Sequence, residues 1–136
     1  MTMSLRPINP PQWARPKGYA NGIVARGTTV FVAGQVGWNA EQKFTSGDFI
    51  DQLRQALENT LAVLAAAGAG PQHIARMVWY VLDKREYVAR LSEVGACYRE
   101  VIGRHFPAMT LVQVSGLVED EARIEIETTA MIEDPA

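Results

Sequence analysis

RHFPAMTLVQVSGLVEDEARIEIETTAMI, residues 104–132, is the stretch from which the fold class is read. Pro107 has no N–H and its ring clashes with the preceding turn, so a helix arriving from the N-terminal side stops near His105. Two alternating runs follow, Thr110 to Ser115 and Ala122 to Met131. Alternation sends successive side chains to opposite faces of a strand. Between the runs, Val118 to Glu121 is a short acidic connection that predicts a hairpin loop.

Upstream of this stretch the chain reads as a helix starting at Asp83. Asp83 and Glu86 stand at capping-box spacing, and Tyr87, Leu91, Val94, Tyr98, Val101 and Ile102 make an apolar stripe. Gly95 inside that helix costs about 1 kcal/mol relative to Ala and predicts a close packing contact. Before it, Ile74 to Leu82 reads as a strand with Met77, Trp79 and Val81 on one face and Val78 and Tyr80 on the other. A strand apolar on both faces is covered on both sides. Helices supply one cover, and in so short a chain a second copy supplies the other.

Asp48 to Ala67 is the clearest helix, with Ile50, Leu53, Leu57, Leu61 and Leu64 along one face. Ser46 or Asp48 caps its start, and Gly68, Gly70 and Pro71 stop it. Gly22 to Ala25 and Thr28 to Gln35 predict a hairpin turned at Arg26-Gly27. The second run ends in Ala33-Gly34-Gln35-Val36-Gly37, small residues that let a ligand or another backbone come close. Residues 2–18, with Pro7, Pro10, Pro11 and Pro16, form an irregular arm with a short strand around Leu5 to Ile8. Trp13 and Tyr19 are expected to pin that arm to the body. The order β-β-α-β-α-β-β predicts one α+β domain over 1–136, a mixed sheet with two helices on one face.

Composition narrows the function classes. A chain of 136 residues that is 48% hydrophobic, with a net charge of -2 and no run of Lys or Arg, is globular and lacks a nucleic-acid-binding stripe. Cys97 is the lone cysteine, so no intrachain disulfide forms, and no basic neighbour activates it. His73 and His105 are too far apart in sequence for a metal motif. Leu61 to Ala67, the longest apolar run, falls far short of the ~20 residues that span a bilayer. The N-terminus has no signal-peptide core. A cytoplasmic protein that binds neither membrane nor nucleic acid is the expectation.

Gly18-Tyr19, Val32-Ala33-Gly34-Gln35-Val36, Gln52-Leu53-Arg54-Gln55-Ala56-Leu57-Glu58-Asn59, Trp79-Tyr80-Val81-Leu82-Asp83, Tyr98, Phe106-Pro107-Ala108 and Ile124-Glu125-Ile126-Glu127 occur in this order and spacing. In that pattern the chain resembles the RidA family, also called YjgF, reactive-intermediate deaminase or endoribonuclease L-PSP-like proteins. The resemblance implies a chorismate-mutase-like α+β fold and a homotrimer with helices outside and sheets lining a central core. It also implies three small-molecule clefts, each between neighbouring subunits. Deaminating members hydrolyse an imine or enamine derived from an amino acid, releasing ammonia and a 2-keto acid, with no cofactor.

By the same resemblance, Tyr19 and Gly34 belong to the substrate-binding frame, and Glu125 matches the carboxylate that orders water; Trp79 is a substrate-binding candidate as an apolar residue of the cleft. The family's carboxylate-binding arginine follows Phe-Pro-Ala, and here that position is Met109. A thioether has neither charge nor N–H donor, so it cannot replace a guanidinium clamp. A further polar position of deaminating members falls near Val94 or Gly95. Losing a buried charged contact costs roughly 2–5 kcal/mol, or about 30- to 4000-fold in efficiency. Hydrolysis of ordinary 2-iminocarboxylates is therefore expected to be weak or absent unless Arg76, Arg104 or Arg123 supplies the charge. Met109, Trp38 and Trp79 would make the cleft more apolar. Two expectations follow: a diverged imine or enamine hydrolase acting on another substrate, or a non-catalytic homotrimer that binds a small metabolite.

Overall fold

In the computed structural model, which describes residues 5–134, the chain runs β1 (Leu5–Ile8), β2 (Gly22–Ala25), β3 (Thr28–Val36) and α1 (Phe49–Ala66). A 3-10 turn (Pro71–His73) then leads into β4 (Ile74–Val81), α2 (Lys84–Ala89), α3 (Leu91–Val101), β5 (Ala108–Gln113) and β6 (Ile124–Ile132). α1 begins where expected because the Asp48 carboxylate accepts the N–H groups of Ile50 and Asp51. Leu53, Leu57 and Leu64 are fully buried, and Ile50 and Leu61 pack at the margin of the same core. Residues 2–4 of the expected arm lie outside the described residues.

The main sheet has the order β3-β6-β4-β5, with β4 and β5 parallel and the other pairs antiparallel. This is the α+β architecture expected, two main helices, α1 and α3, on a mixed sheet. Neither expected hairpin forms. β5 and β6 are separated by β4, so Val118 to Glu121 crosses the end of a strand. Burial explains the choice. Ile124, Ile126 and Ala130 are fully buried, which suits β6 to a central place, whereas Val112 and Gln113 of β5 are exposed, which suits an edge. Likewise β2 pairs with β1, and β3 pairs with β6. Gly27, at φ +130, turns the chain there, and a Cβ would meet the Ile132 carbonyl at 2.1 Å. That glycine fixes a corner, not a partner.

The second expected helix is broken. Asp83 caps α2 through the N–H groups of Arg85 and Glu86, but Arg90 (φ -108, ψ 24) ends α2 and begins α3. Its guanidinium binds Glu93 through two nitrogens and reaches Asp48 at 2.7 Å. The helices cover the face of Met77, Trp79 and Val81. On the opposite sheet face Phe31 is 80% exposed and Val112 40%. The arm is held differently from expectation: Trp13 is 64% exposed, while Leu5 and Ala20 are buried and the Asn21 N–H groups donate to Asn9.

Candidate functional site

A cavity of about 290 Å³ opens between the β4–β5 edge, α3 and the end of the arm. Ladder register sets its floor. Met77 pairs with Met109 and Trp79 with Leu111, so Met109 and Leu111 sit on the helix-covered face beside Trp79. Met109 lies inside β5, because the strand starts at Ala108, two residues before the expected Thr110. Val94, Gly95 and Tyr98 of α3 form one wall, which places both candidate positions from helix two at the cavity. Tyr19 arrives from the arm: the Ala20 N–H donates to the Pro107 carbonyl at 3.0 Å, and Ala20 bridges to Ala108.

The walls are aromatic. Trp79 and Tyr98 lie with ring centroids 6.2 Å apart, and Phe106 stacks on Tyr98 at 6.2 Å and 18°. The Tyr98 hydroxyl donates to the His105 carbonyl, and a His105 ring nitrogen lies 2.6 Å from the Ile74 carbonyl oxygen. These bonds fix the turn that carries Phe106 and Pro107. Burial pushes the Tyr98 phenol well above its ordinary pKa, so it is neutral at physiological pH. The Trp79 indole N–H, itself buried, has no acceptor among the described residues.

Gly34 and Glu125 lie elsewhere. Ile124 and Ile126 are buried under the helices, so Glu125, between them, emerges on the opposite face of the sheet. There β3 bulges between Val32 and Gln35, bringing Gly34 against the Glu125 carboxylate. Beside it the Tyr80 hydroxyl donates to Glu127 at 3.2 Å, and burial followed by the two carboxylates raises the phenol's pKa. The expected site residues thus form two groups within one chain: Tyr19, Trp79 and Met109 in the cavity, Gly34 and Glu125 across the sheet.

None of the three expected arginines lines the cavity. Arg76 alternates with Met77 onto the reverse face, Arg104 borders a groove beside Trp13, and Arg123 is paired with Glu86. Trp38 is also elsewhere, tilted against Phe44 at 5.8 Å. The cations that do line the cavity are Lys17 and Arg99, which sequence reasoning missed. Their signals were adjacency: Lys17 precedes the Gly18-Tyr19 match and Arg99 follows Tyr98. Cys97 is buried, which raises its thiol pKa and leaves it inert. Among the described residues no helix is long and apolar enough to cross a membrane, and no cluster of His, Cys, Asp and Glu is placed to hold a metal.

The family model described as Endoribonuclease L-PSP matches residues 12–132. A RutC family protein of Pyrococcus horikoshii is 35% identical over 117 residues, covering 85% of this chain and 89% of its own. A protein of Dermatophagoides farinae named 2-iminobutanoate/2-iminopropanoate deaminase is 30% identical over 129 residues, covering 94% and 97%. The crystal structure of the Rid-family protein YyfB of Yersinia pestis superimposes with a TM-score of 0.83 at 32% identity, covering 96% of this chain and all of that one. With the same architecture and a match over nearly its whole length, the chain belongs to the RidA/YjgF family.

Proposed function

We propose that this protein is a RidA-family imine or enamine hydrolase whose substrate is not an ordinary 2-iminocarboxylate, working as a homotrimer. The observation that carries this reading is the cavity itself: Met109 occupies its floor beside Trp79 and Leu111, so the floor offers apolar contact and no guanidinium. The relative named as a 2-iminobutanoate/2-iminopropanoate deaminase supports the reaction class. Phe31 and Val112, exposed on the reverse sheet face, support association through that face.

In such a trimer Glu125 of one subunit completes the cavity of its neighbour. Its carboxylate orients a water and takes a proton from it. The water oxygen bonds to the C=N carbon while the nitrogen gains a proton, giving a carbinolamine. The proton taken by Glu125 is the one the nitrogen gains. The hydroxyl proton then passes to the same nitrogen as the C–N bond breaks and the C=O forms, so ammonia leaves with the carboxylate restored. Trp79 and Met109 hold the apolar part of the substrate and exclude bulk water. No cofactor enters this scheme.

Ammonia release from a panel of imines generated in situ, measured for wild type and Glu125→Ala, tests the proposal. Turnover that falls in the variant supports it, and equal rates remove Glu125 from the mechanism. Ligand-induced thermal shifts with no turnover of any imine would favour the second reading, a metabolite-binding trimer, for which the apolar residue at 109 also speaks.

A further inference from the structure

A second cavity, of about 610 Å³, lies between the arm and the body, on the far side of Tyr19 and Phe106 from the site described above. Those two rings line both cavities and so stand between them. The volume is that of a small-molecule site. Pro10, Trp13 and Arg15 of the arm make one wall, and Gln72, Arg104 and His105 make the other.

The arm wall is held in shape without its largest side chain. Pro7, Pro10, Pro11 and Pro16 fix their own φ angles, and the Trp13 N–H closes a turn on the Pro10 carbonyl at 3.1 Å. The Asn9 side-chain oxygen accepts two N–H groups of Asn21, and Leu5 and Ala20 are buried. Trp13 itself is 64% exposed, so its indole does not hold the arm down, yet it lines the cavity. A tryptophan presented on a preorganised wall is a stacking surface, because little order is lost when a second ring is laid on it.

Charge in this cavity is one-sided. Arg15 from the arm and Arg104 from the turn after α3 are its charged lining residues, and among the described residues no carboxylate lines it. The chain as a whole carries a net charge of -2, so composition does not produce this. A single guanidinium fork satisfies both oxygens of a carboxylate. Two forks, offered from two walls, match a phosphate, which has a third acceptor oxygen and more charge. We propose that this cavity is a second ligand site, for a planar aromatic ring carrying a phosphate group, with the ring stacked on Trp13 and the phosphate between Arg15 and Arg104. The hydrolase reading neither requires this site nor supplies it. Because both arginines are exposed, the phosphate contact weakens with salt, whereas the stacking contact does not.

The test is calorimetric titration of the purified full-length protein with 1-naphthyl phosphate at low ionic strength. Wild type should bind it about tenfold more tightly than inorganic phosphate, the worth of one stacked ring. It should also bind it about tenfold more tightly than 1-naphthoate or neutral 1-naphthol, the worth of one charge-assisted hydrogen bond. Trp13→Ala should lose the ring's share, about tenfold, with an unchanged melting temperature, and Trp13→Phe should keep most of it. Arg15→Gln and Arg104→Gln should each weaken binding of the phosphate about tenfold and leave 1-naphthol unchanged. Arg99→Gln, in the other cavity, should bind as wild type does. Absence of binding, full binding in Trp13→Ala or in both Arg15→Gln and Arg104→Gln, or loss of binding in Arg99→Gln overturns the site. Equal affinity for 1-naphthoate overturns the phosphate assignment.

Discussion

Gly34 has no side chain where the carboxylate of Glu125 rests: a Cβ there would stand 2.1 Å from Oε2 and 3.0 Å from Cγ. The β3 bulge between Val32 and Gln35 turns this glycine toward β6, so the backbone of one strand sets the position of an acid on the next. Gly34→Ala must displace the carboxylate, which can swing because its far end is flexible. On the hydrolase reading Gly34→Ala should lower kcat while leaving the melting temperature nearly unchanged. Glu125→Gln should lower kcat by about 10²- to 10⁴-fold, the worth of a positioned general base. Side-by-side kcat and thermal melts of the variants decide it, and full activity in Gly34→Ala would separate the glycine from the reaction.

Met109→Arg places a guanidinium on the cavity floor. If the residue after Phe-Pro-Ala sets carboxylate binding, the variant should gain hydrolysis of 2-iminopropionate by about 30- to 4000-fold in kcat/KM. The longer side chain is inserted beside Met77 and Trp79, so a cost of about 1–3 kcal/mol in stability is also expected. Coupled ammonia assays and urea melts measure both. A folded variant with unchanged kcat/KM would show that position 109 does not decide the substrate.

Local periodicity made α1 legible, because Leu53, Leu57 and Leu64 announce a buried face within one continuous segment. Strand partners were not legible for the opposite reason. Arg26-Gly27 and Val118 to Glu121 both look like hairpin turns, yet pairing is settled by which strand needs two buried neighbours. For β6, with Ile124, Ile126 and Ala130 fully buried, those neighbours are β3 and β4. The α2–α3 break at Arg90 was hidden because the stripe of apolar residues runs through it, while the Arg90–Asp48 contact that accompanies it is long-range. Tyr19, Trp79 and Met109 were reachable through family motifs. Arg99 was not, since an exposed arginine on a helix reads as a solvated face until Gly95 is seen beneath it.

Gln52 is a polar residue of the core. It is 1% exposed, its amide nitrogen donates to the carbonyls of Ser46 and Glu121, and its oxygen accepts the Arg123 N–H. It therefore ties α1 to the start of β6, two residues before Glu125. A Cβ on Gly37 would come within 2.6 Å of its Cα, so the loop after β3 is packed on the same point. Gln52→Leu leaves those backbone groups unpaired, and each such group costs about 1–3 kcal/mol. Denaturant melts should show a loss of at least about 2 kcal/mol, with Gln52→Glu, which keeps an acceptor for Arg123, less damaging. A neutral Gln52→Leu would mean that water replaces all three bonds.

Phe31 pairs with Thr129 across β3 and β6 and stands 80% exposed on the face away from the helices. Burying such a ring in an interface contributes about 1.5–3 kcal/mol per copy, and a carboxylate there would repel its symmetry mates. If the proposed trimer forms through this face, Phe31→Glu should convert it to monomer in light scattering while circular dichroism stays native. A trimer of undiminished stability in the variant would place Phe31 outside the interface.

Asp48 links the start of α1 to the α2–α3 junction, and its ionisation should be visible in stability. The hydrogen bond from Arg90, with those from the Asp51 and Ile50 N–H groups, holds its carboxyl below the ordinary 3.8, against an opposing effect of burial. A depressed folded value means that the stabilisation is fully present above 3.8 and is lost as pH falls through the lower folded value. Asp48→Asn keeps a cap acceptor and removes only the charge, whereas Asp48→Ala also removes the cap, worth about 1 kcal/mol. At pH 7 the stability order should be wild type, then Asn, then Ala. The gap between wild type and Asp48→Asn should close only below pH 3.8, as the wild-type carboxyl itself becomes neutral. Melts from pH 7 downward test this, and a gap that stays constant through the acid range would assign the difference to packing instead of charge.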